Sequence, residues 1–271
     1  MNRFKSILKR RIPPRIRLLR YTVYDKCRYL PDLILSLGSR FVCPFCAWRF
    51  RRFLPAGPQS PLYSEMRVIP GGWRTNVVCP RCRSNDRERL VYLYLRNKTG
   101  TFSGGARILH VAPEPCLRKV LLKHGRPAIY VTADLEMPGV DVRMDITRIP
   151  HPSSSFDLII CNHVLEHVPD DGEALRELFR ILRPGGWAIL QVPIAPDLTA
   201  TIDGPAIRSP EERLKRFGQK DHVRLYAWDY LDRLRAAGFQ ANSYDFIRDL
   251  DPALVERYAL LADEKLVIAR K

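Results

Sequence analysis

Short, continuous apolar segments alternate with longer segments of helical periodicity from residue 106 to the end of the chain. Strands that are apolar on both faces belong in a sheet that helices cover on both sides. Alternation of strands and helices gives a parallel sheet with right-handed crossovers. The sequence therefore predicts an α/β domain with a doubly wound, mostly parallel sheet. The predicted strands are Arg107–Val111, Ala128–Ala133, Val140–Met144, Phe156–Cys161, Trp187–Val192, Phe239–Phe246 and Leu266–Ala269.

The predicted helices lie between these strands and just before the first one. Asn85 followed by Glu88 is a capping signal for a helix that runs to about residue 97. Ligands of such sheets bind beyond the carboxyl ends of the strands, so the residues at those ends are the candidates for function. The other predicted helices are Pro115–His124, Asp171–Leu182 and Tyr226–Ala237.

Two Cys-Pro-x-Cys pairs precede this domain, Cys43–Cys46 and Cys79–Cys82, with 32 residues between them. Each CxxC turn lets two thiolates face one point, and two turns supply the four ligands of a structural zinc ion. The alternative is four buried or redox-active cysteines. An odd total of seven cysteines, without a secretory signal, argues against a disulfide framework and favours a reducing cytosol. We therefore expect a structural zinc site with Cys43, Cys46, Cys79 and Cys82 as ligands.

Charge divides the chain into unlike parts. Residues 1–100 carry 22 Lys+Arg against 5 Asp+Glu, whereas residues 101–271 carry 23 against 24. The segment between the cysteine pairs has too few apolar residues to fold without a metal, and its expected core is Trp48, Phe50, Phe53, Tyr63, Val68, Ile69 and Trp73. The expected parts are a basic arm (1–40), a zinc ribbon (41–84), a connecting helix and linker (85–104) and the α/β domain (105–271).

The basic arm has apolar residues at helical spacing from Phe4 to Ile12, and Pro13 ends that pattern. A short basic amphipathic helix binds an anionic membrane surface or RNA phosphates, or it is a solvated tail. The sequence leaves these alternatives open. No apolar run approaches the roughly 20 residues that cross a bilayer, so we expect a cytoplasmic protein, with peripheral membrane attachment through the arm as one alternative.

Four segments of the α/β domain resemble class I S-adenosylmethionine-dependent methyltransferases of the type 11 group. They are Val131–Leu135, Met144–Thr147, Ser155–Val168, which ends in HVLEHV, and Ala174–Trp187, which contains RILRPGG. The resemblance covers about residues 105–271. It implies a Rossmann-like sheet of seven strands, S-adenosylmethionine as cofactor and methyl transfer as activity.

The resemblance also assigns cofactor contacts to residues that follow the strands. It implies that Asp134 accepts the ribose hydroxyls and that Leu135 flanks the adenine. Asp145 would accept the adenine amine, and the Ile146 N–H would meet a ring nitrogen. Cys161 and Asn162 would lie near the methionyl group. The alternative for both aspartates is turn or helix-cap chemistry.

The loop after the first strand departs from the glycine-rich pattern of this superfamily. His110 stands where an acidic residue is usual, and Ala112, Glu114 and Cys116 stand where glycines are usual. By their place in this loop, His110, Ala112 and Glu114 are candidate cofactor contacts. Glu114 would bind the cofactor's ammonium group or cap the helix that begins at Pro115, and the sequence favours neither. The loop sequence His-Val-Ala-Pro-Glu beside CxxC pairs resembles a subfamily that carries a zinc ribbon.

Methyl transfer from a sulfonium needs alignment, and it needs a base only if the acceptor must lose a proton. The candidates are His163, Glu166 and His222, with His167 as a weaker one. The alternative is that these histidines only orient their loops. Gly218 is a candidate hinge for a lid over the substrate, and Arg224 is a candidate for holding an acidic substrate group.

The acceptor is the least constrained part of the prediction. No Asn/Asp-Pro-Pro-Tyr/Phe loop follows the fourth strand, and Cys161 lacks the Pro-Cys context of a base-methylating nucleophile. We expect a small molecule, a sugar or a lipid-linked glycan as acceptor. The alternatives are an RNA-modifying enzyme that uses arm and ribbon, or a binding protein without catalysis.

Overall fold

A computed structural model describes residues 29–271. Most of the predicted basic arm, including its helix at Phe4–Ile12, lies outside the described residues. The described chain starts in a helix at residues 29–36, which we name α1. Within residues 29–271, no helix is both long and apolar enough to cross a bilayer.

Two small antiparallel hairpins follow and carry the cysteine pairs. In the first, β1 (Leu37–Val42) pairs with β2 (Arg49–Phe50). In the second, β3 (Leu54–Ala56) pairs with β4 (Arg74–Val78). Between β3 and β4 lies the short helix α2 (Pro61–Glu65).

A seven-stranded sheet forms the centre of the α/β domain, in the order β12-β13-β9-β8-β5-β6-β7. The strands from β9 to β7 in that order are parallel, and β13 is antiparallel to both of its neighbours. The predicted fold is thus confirmed, with one reversed strand. The strands after the hairpins are β5 Arg107–Val111, β6 Ile129–Asp134, β7 Val142–Arg143, β8 Phe156–Cys161, β9 Leu182–Ile189, β10 Ile202–Asp203, β11 Arg224–Leu225, β12 Gln240–Tyr244 and β13 Leu266–Arg270.

Helices cover both faces of this sheet, and the two apolar clusters that they bury form the core. The first of them, α3, carries a complete capping box at its start: Asn85 accepts from the Glu88 N–H and Glu88 accepts from the Asn85 N–H. The helices are α3 Asp86–Lys98, α4 Pro115–Val120 with a π-helical continuation Leu121–Gly125, α5 Asp171–Ile181, α6 Pro210–Phe217, α7 Tyr230–Ala236 and α8 Pro252–Arg257.

Two predicted elements begin four or more residues away from their positions in the structure, and the other predicted boundaries differ by three residues or fewer. The fifth strand begins at Leu182 instead of Trp187, because Leu182 pairs with Phe156 of β8 ahead of a bulge. The last predicted helix begins at Tyr230 instead of Tyr226. Tyr226 is fully buried and donates a hydrogen bond to Asp171 at 2.8 Å, so its segment is held against α5.

The hairpins and the segment between them pack on the α/β domain. Ile69 forms an antiparallel bridge with Ile194, with N···O distances of 2.7 and 2.8 Å. The expected ribbon core is therefore only partly right. Phe50 and Phe53 pack around the cysteines, but Tyr63 and Val68 pack on the segment that follows β9. Trp48 and Trp73 are exposed.

Candidate functional site

The four paired cysteines converge on one point. Their sulfur atoms all lie within 4.8 Å of one another. The Cys43–Cys82 sulfurs are 3.5 Å apart, and the Cys46–Cys79 sulfurs are 3.8 Å apart. Four thiolates about 2.3 Å from a tetrahedral zinc ion lie roughly 3.8 Å from one another. The arrangement therefore fits zinc, and the separations are too long for disulfide bonds.

The two cysteine turns have the same local geometry. The Ala47 N–H donates to the Cys43 carbonyl at 2.8 Å, and the Arg83 N–H donates to the Cys79 carbonyl at 3.0 Å. Ala47 and Arg83, each directly after a second cysteine, are left-handed, with φ of 58° and 68°. The repeated Cys-Pro-x-Cys sequence thus forms the same turn twice.

Arg89 of α3 is fully buried beside this cluster. Its guanidinium donates to five backbone carbonyls at 2.8 to 3.3 Å and lies 4.6 Å from the ring centre of Phe53. Burial lowers its pKa, while Asp86 and the thiolates of the cluster oppose that effect. A buried cation next to four thiolates offsets their negative charge. The accepting carbonyls are those of Asn76, Val77, Ser84, Tyr258 and Ala259.

A polar network occupies the carboxyl ends of β5 and β8. His110 is fully buried, its Nδ1 is 2.7 Å from the Tyr130 hydroxyl and its Nε2 is 2.5 Å from Glu114. The Asn162 amide donates to the other Glu114 oxygen at 3.0 Å. Burial alone would raise the pKa of Glu114, but its contacts with His110 and Asn162 outweigh burial and lower it. Glu114 precedes α4 without capping it through its side chain.

The loop after β5 turns at Ala112, whose φ is 46°. This is the left-handed region that favours glycine. The Ala112 N–H donates to the Ala133 carbonyl at 2.8 Å, which holds the loop against the end of β6. Ala112 thus adopts the glycine-like backbone conformation that the resemblance attributes to this position. Next to it, the Cys116 thiol donates to the Cys82 carbonyl at 3.0 Å, which ties this loop to the second cysteine turn.

The two aspartates expected to contact the cofactor both organise turns. Asp134 ends β6, and its Oδ1 accepts from the N–H groups of Glu136 and Met137, both at 2.7 Å. The Asp145 Oδ1 accepts from the N–H and hydroxyl of Thr147 at 2.9 and 2.8 Å. Both therefore show the turn chemistry that was the alternative. These turn hydrogen bonds use one carboxylate oxygen of each aspartate, so they are compatible with a ligand bound to the other oxygen.

The remaining expected cofactor residues differ in exposure. Leu135 is 55% exposed beyond the end of β6, which suits a side chain that flanks a ligand. Ile146 and Asn162 are buried. Cys161 ends β8 fully buried, and burial raises the pKa of its thiol, which makes it a poor nucleophile.

The candidate catalytic residues cluster after β8. The His163 Nδ1 lies 3.4 Å from Glu166, and His163 has a left-handed φ of 55°. Glu166, His167 and His222 each place one ligand-type atom within 4.8 Å of the others. The structure therefore brings His222 and His167 next to Glu166, whose proximity to His163 the three-residue spacing already predicts.

Burial governs the charge of this cluster. It lowers the pKa of His163, and it lowers the pKa of His222 to about 4. Burial alone would raise the pKa of Glu166, but the neighbouring histidines, His163 first, outweigh it and lower that pKa. At neutral pH the cluster thus holds a buried carboxylate beside two neutral imidazoles.

Two residues do not take the roles that the sequence suggested. Arg224 is 2% exposed, and its guanidinium is held by Asp203 and by the carbonyls of residues 165, 168 and 169. It fixes the turn that carries Glu166 instead of facing a substrate. Gly218 ends α6 with φ 81°, and an added Cβ there would clash with the Tyr63 ring, so its position is a close packing contact.

Tyr63 is the site residue that the sequence assigned elsewhere. Its hydroxyl lies 3.3 Å from His222 Nδ1 and accepts from the Gln219 amide at 3.0 Å. Burial raises its pKa. Since 159 residues separate Tyr63 from His222, no local pattern indicates this contact. Arg87, also missed, lies close enough to help lower the pKa of His163.

Comparison with known proteins bears on the family that the α/β domain resembles. Residues 103–190 match a family model described as a methyltransferase domain. A probable S-adenosylmethionine-dependent methyltransferase of Mycolicibacterium smegmatis is 37% identical over 106 residues, which are 39% of this chain and 37% of that protein. Residues 103–190 therefore match a methyltransferase domain, and an S-adenosylmethionine-dependent methyltransferase is among the relatives of the chain. The resemblance seen in the sequence is confirmed at this level.

The methyltransferase domain has further relatives of known name. The 27-O-demethylrifamycin SV methyltransferase of Amycolatopsis mediterranei is 28% identical over 111 residues, which are 41% of this chain and 39% of that protein. A solved S-adenosylmethionine dependent methyltransferase from Mesorhizobium loti has a TM-score of 0.45 at 18% identity, covering 67% of this chain and 98% of that one. The chain spans about two fifths of the length of these curated relatives.

Proposed function

We propose that this protein transfers a methyl group from S-adenosylmethionine to an acceptor. The observation that carries the proposal is the methyltransferase domain match over residues 103–190, which includes β5, β6 and β8 and the residues at their carboxyl ends. Binding beyond those ends is the rule for doubly wound sheets. The switch point of this sheet lies between β5 and β8, where His110, Glu114 and Asn162 form their network.

The proposed cofactor contacts are those that the family resemblance implies. Asp134 would accept the ribose hydroxyls on the oxygen that its turn leaves available, and Leu135 would flank the adenine. Asp145 and the Ile146 N–H would meet the adenine edge. Glu114, an ionised carboxylate at the switch point, suits the ammonium group of the methionyl part. Because the Glu114 carboxylate would bind the ammonium group, a loop with few glycines remains compatible with cofactor binding.

Methyl transfer requires the protein mainly to position the two reactants. S-adenosylmethionine supplies an activated methyl group when bound. This chain's residues would align the acceptor, exclude water and take up a proton where the acceptor has one to lose. We assign these roles, on the side of the site that would hold the acceptor, to His163, Glu166 and His222. His163 lies two residues after β8. Apart from the 3.4 Å approach of its Nδ1 to Glu166, neither of its ring nitrogens has a hydrogen-bond partner within residues 29–271.

We further propose that Cys43, Cys46, Cys79 and Cys82 hold a structural zinc ion in a ribbon spanning residues 41–84. The sulfur separations and the nearby Arg89 support it. Four thiolates leave no open coordination position, so this zinc would stabilise the fold and take no part in the transfer.

The acceptor we propose is a small molecule, a sugar or a lipid-linked glycan. RNA is the second candidate, and one observation favours it. The ribbon exposes Trp48, over which the Arg81 guanidinium lies at 4.2 Å, among other exposed arginines. Stacking aromatics with basic groups are typical of surfaces that bind single strands. For residues 1–40, we propose attachment to RNA phosphates or to an anionic membrane surface.

Calorimetric titration with S-adenosylhomocysteine tests the central proposal. Asp134→Asn keeps the turn-forming oxygen and removes the charge, so binding should weaken about 10- to 100-fold, the loss of one charged hydrogen bond. Asp251→Asn, at the N-cap of α8, is the matched control and should bind as wild type does. Absence of binding by wild type at millimolar ligand would refute the proposal.

A further inference from the structure

Glu166, His167 and His222 form a second cluster of metal-type ligands, separate from the cysteines. Glu166 and His222 are each 2% exposed, whereas the His167 side chain is 37% exposed. The cluster is therefore buried at Glu166 and His222 and open to solvent at His167. Of the six histidines in the chain, two lie in it and a third, His163, contacts its carboxylate.

The Glu166 carboxylate of this cluster is not fully satisfied by the protein. Within residues 29–271, its Oε2 atom is buried without a hydrogen-bond partner. Buried polar atoms are almost always paired, and an unpaired buried carboxylate oxygen is costly. A cation held between this carboxylate and the imidazoles of His167 and His222 would satisfy the Oε2 atom.

The outer contacts of the two histidines match those of metal ligands. His167 Nδ1 lies 3.3 Å from the Asp221 carbonyl and 3.4 Å from the Asp221 carboxylate. His222 Nδ1 lies 3.3 Å from the Tyr63 hydroxyl. Histidine ligands usually engage one ring nitrogen with such a partner and bind the metal through the other. The Nε2 atom of each ring is therefore the one left to bind.

We propose that Glu166, His167 and His222 bind a divalent transition-metal ion of the zinc type on the acceptor side of the site. Imidazole and carboxylate ligands favour zinc and its neighbours over magnesium or calcium, which prefer oxygen alone. Ligand atoms about 2.1 Å from a tetrahedral ion lie roughly 3.4 Å apart, so atoms that lie within 4.8 Å of one another need to approach by at most about 1.4 Å.

Three protein ligands leave positions open on the ion. Open positions distinguish a site that takes water or a substrate oxygen from a closed structural site. With the ion bound, Glu166 and His222 are its ligands, and His163, 3.4 Å from the Glu166 Oε1, is the group that remains to take up a proton. The site would thus take a small oxygen ligand, in contrast to the four-thiolate cluster.

Metal counting on the full-length protein tests the proposal. Wild type and variants are incubated with excess zinc chloride, gel-filtered and measured by elemental analysis. Wild type should carry one zinc equivalent more than Glu166→Gln and His222→Ala. His124→Ala removes an exposed histidine outside the cluster and should match wild type. The readout uses neither cofactor nor acceptor, so it is independent of methyl transfer.

A cobalt titration of protein that holds one zinc equivalent, at the cysteines, gives a second readout. Wild type should develop visible absorption bands of nitrogen and oxygen ligands, and Glu166→Gln should weaken cobalt binding more than about 100-fold, beyond the effect of losing an outer contact. If the buried variants fail to fold, His167→Ala, at a half-exposed position, should show the same loss. Equal zinc content in wild type and in the folded variants would overturn the proposal.

Discussion

Replacing Arg89 by methionine should strongly destabilise the protein. The guanidinium is fully buried and donates to five carbonyls from three parts of the chain. Asn76, Val77 and Ser84 belong to the second hairpin and the turn after it, whereas Tyr258 and Ala259 follow α8. One side chain thus joins the ribbon to the far edge of the α/β domain. Methionine keeps the volume of the stem and removes every one of these hydrogen bonds.

The size of the effect follows from the carbonyls left behind. The bonds to Val77 and Ser84 are fully buried, and the other three are partly buried, where water can replace the lost donor. Two buried carbonyls without a donor cost about 1 to 3 kcal/mol each. Removing one partner from a buried charge pair costs about 3 to 5 kcal/mol. We therefore expect the free energy of unfolding to fall by about 3 to 5 kcal/mol.

Equilibrium urea unfolding in the presence of zinc, followed by circular dichroism, measures this change. Arg96→Met, an exposed arginine at the other end of α3, is the matched control and should change stability by less than about 0.5 kcal/mol. A loss below about 1 kcal/mol for Arg89→Met would refute the view that Arg89 joins ribbon and domain and offsets the thiolate charge.

Three further changes test other parts of the structure. Ala112→Gly should raise the free energy of unfolding by about 0.5 to 1 kcal/mol in urea titrations, because relief of the left-handed strain exceeds the entropy cost of glycine. Gly218→Ala should lower the melting temperature, since its Cβ meets the Tyr63 ring, with a cost of about 1 to 3 kcal/mol; an unchanged melting temperature would contradict that packing. Cys79→Ser should remove one zinc equivalent and lower the melting temperature, whereas Cys116→Ser, which keeps a donor to the Cys82 carbonyl, should retain the metal; equal metal content in both would count against the zinc ribbon.

The sheet was predictable because its signals are local. The bounds of β5 and β8 match the predicted strands, since both are apolar segments with polar residues at their carboxyl ends. The capping box of α3 was likewise visible as Asn85 and Glu88. β9 was predicted to begin too late, because its first residues, Leu182 to Gly186, look like a helix end followed by a turn.

The candidate site was only partly predictable because its contacts are long-range. His163 and Glu166 lie three residues apart, so their proximity was expected, but the approach of His222 depends on how β10 and β11 return the chain. The sequence suggested Arg224 as a substrate contact because no local pattern shows that Asp203 and the turn after β8 bury it. Tyr63 was assigned to the wrong cluster for the same reason.

The segment between the two cysteine turns forms a closed loop whose ends meet at the four sulfurs. Its middle contacts the α/β domain, with Tyr63 against His222 and Ile69 bridged to Ile194. Because both ends of this 32-residue segment are held together, it has fewer conformations than a free segment of the same length. The side of the site that it forms therefore loses less conformational entropy when a substrate binds. Changes of sequence or length within the segment would reshape this side of the site while the sheet, the cofactor edge and the sulfur cluster stayed as they are. If methyl transfer is the activity, as proposed above, acceptor preference can diverge in this loop independently of the fold that carries it.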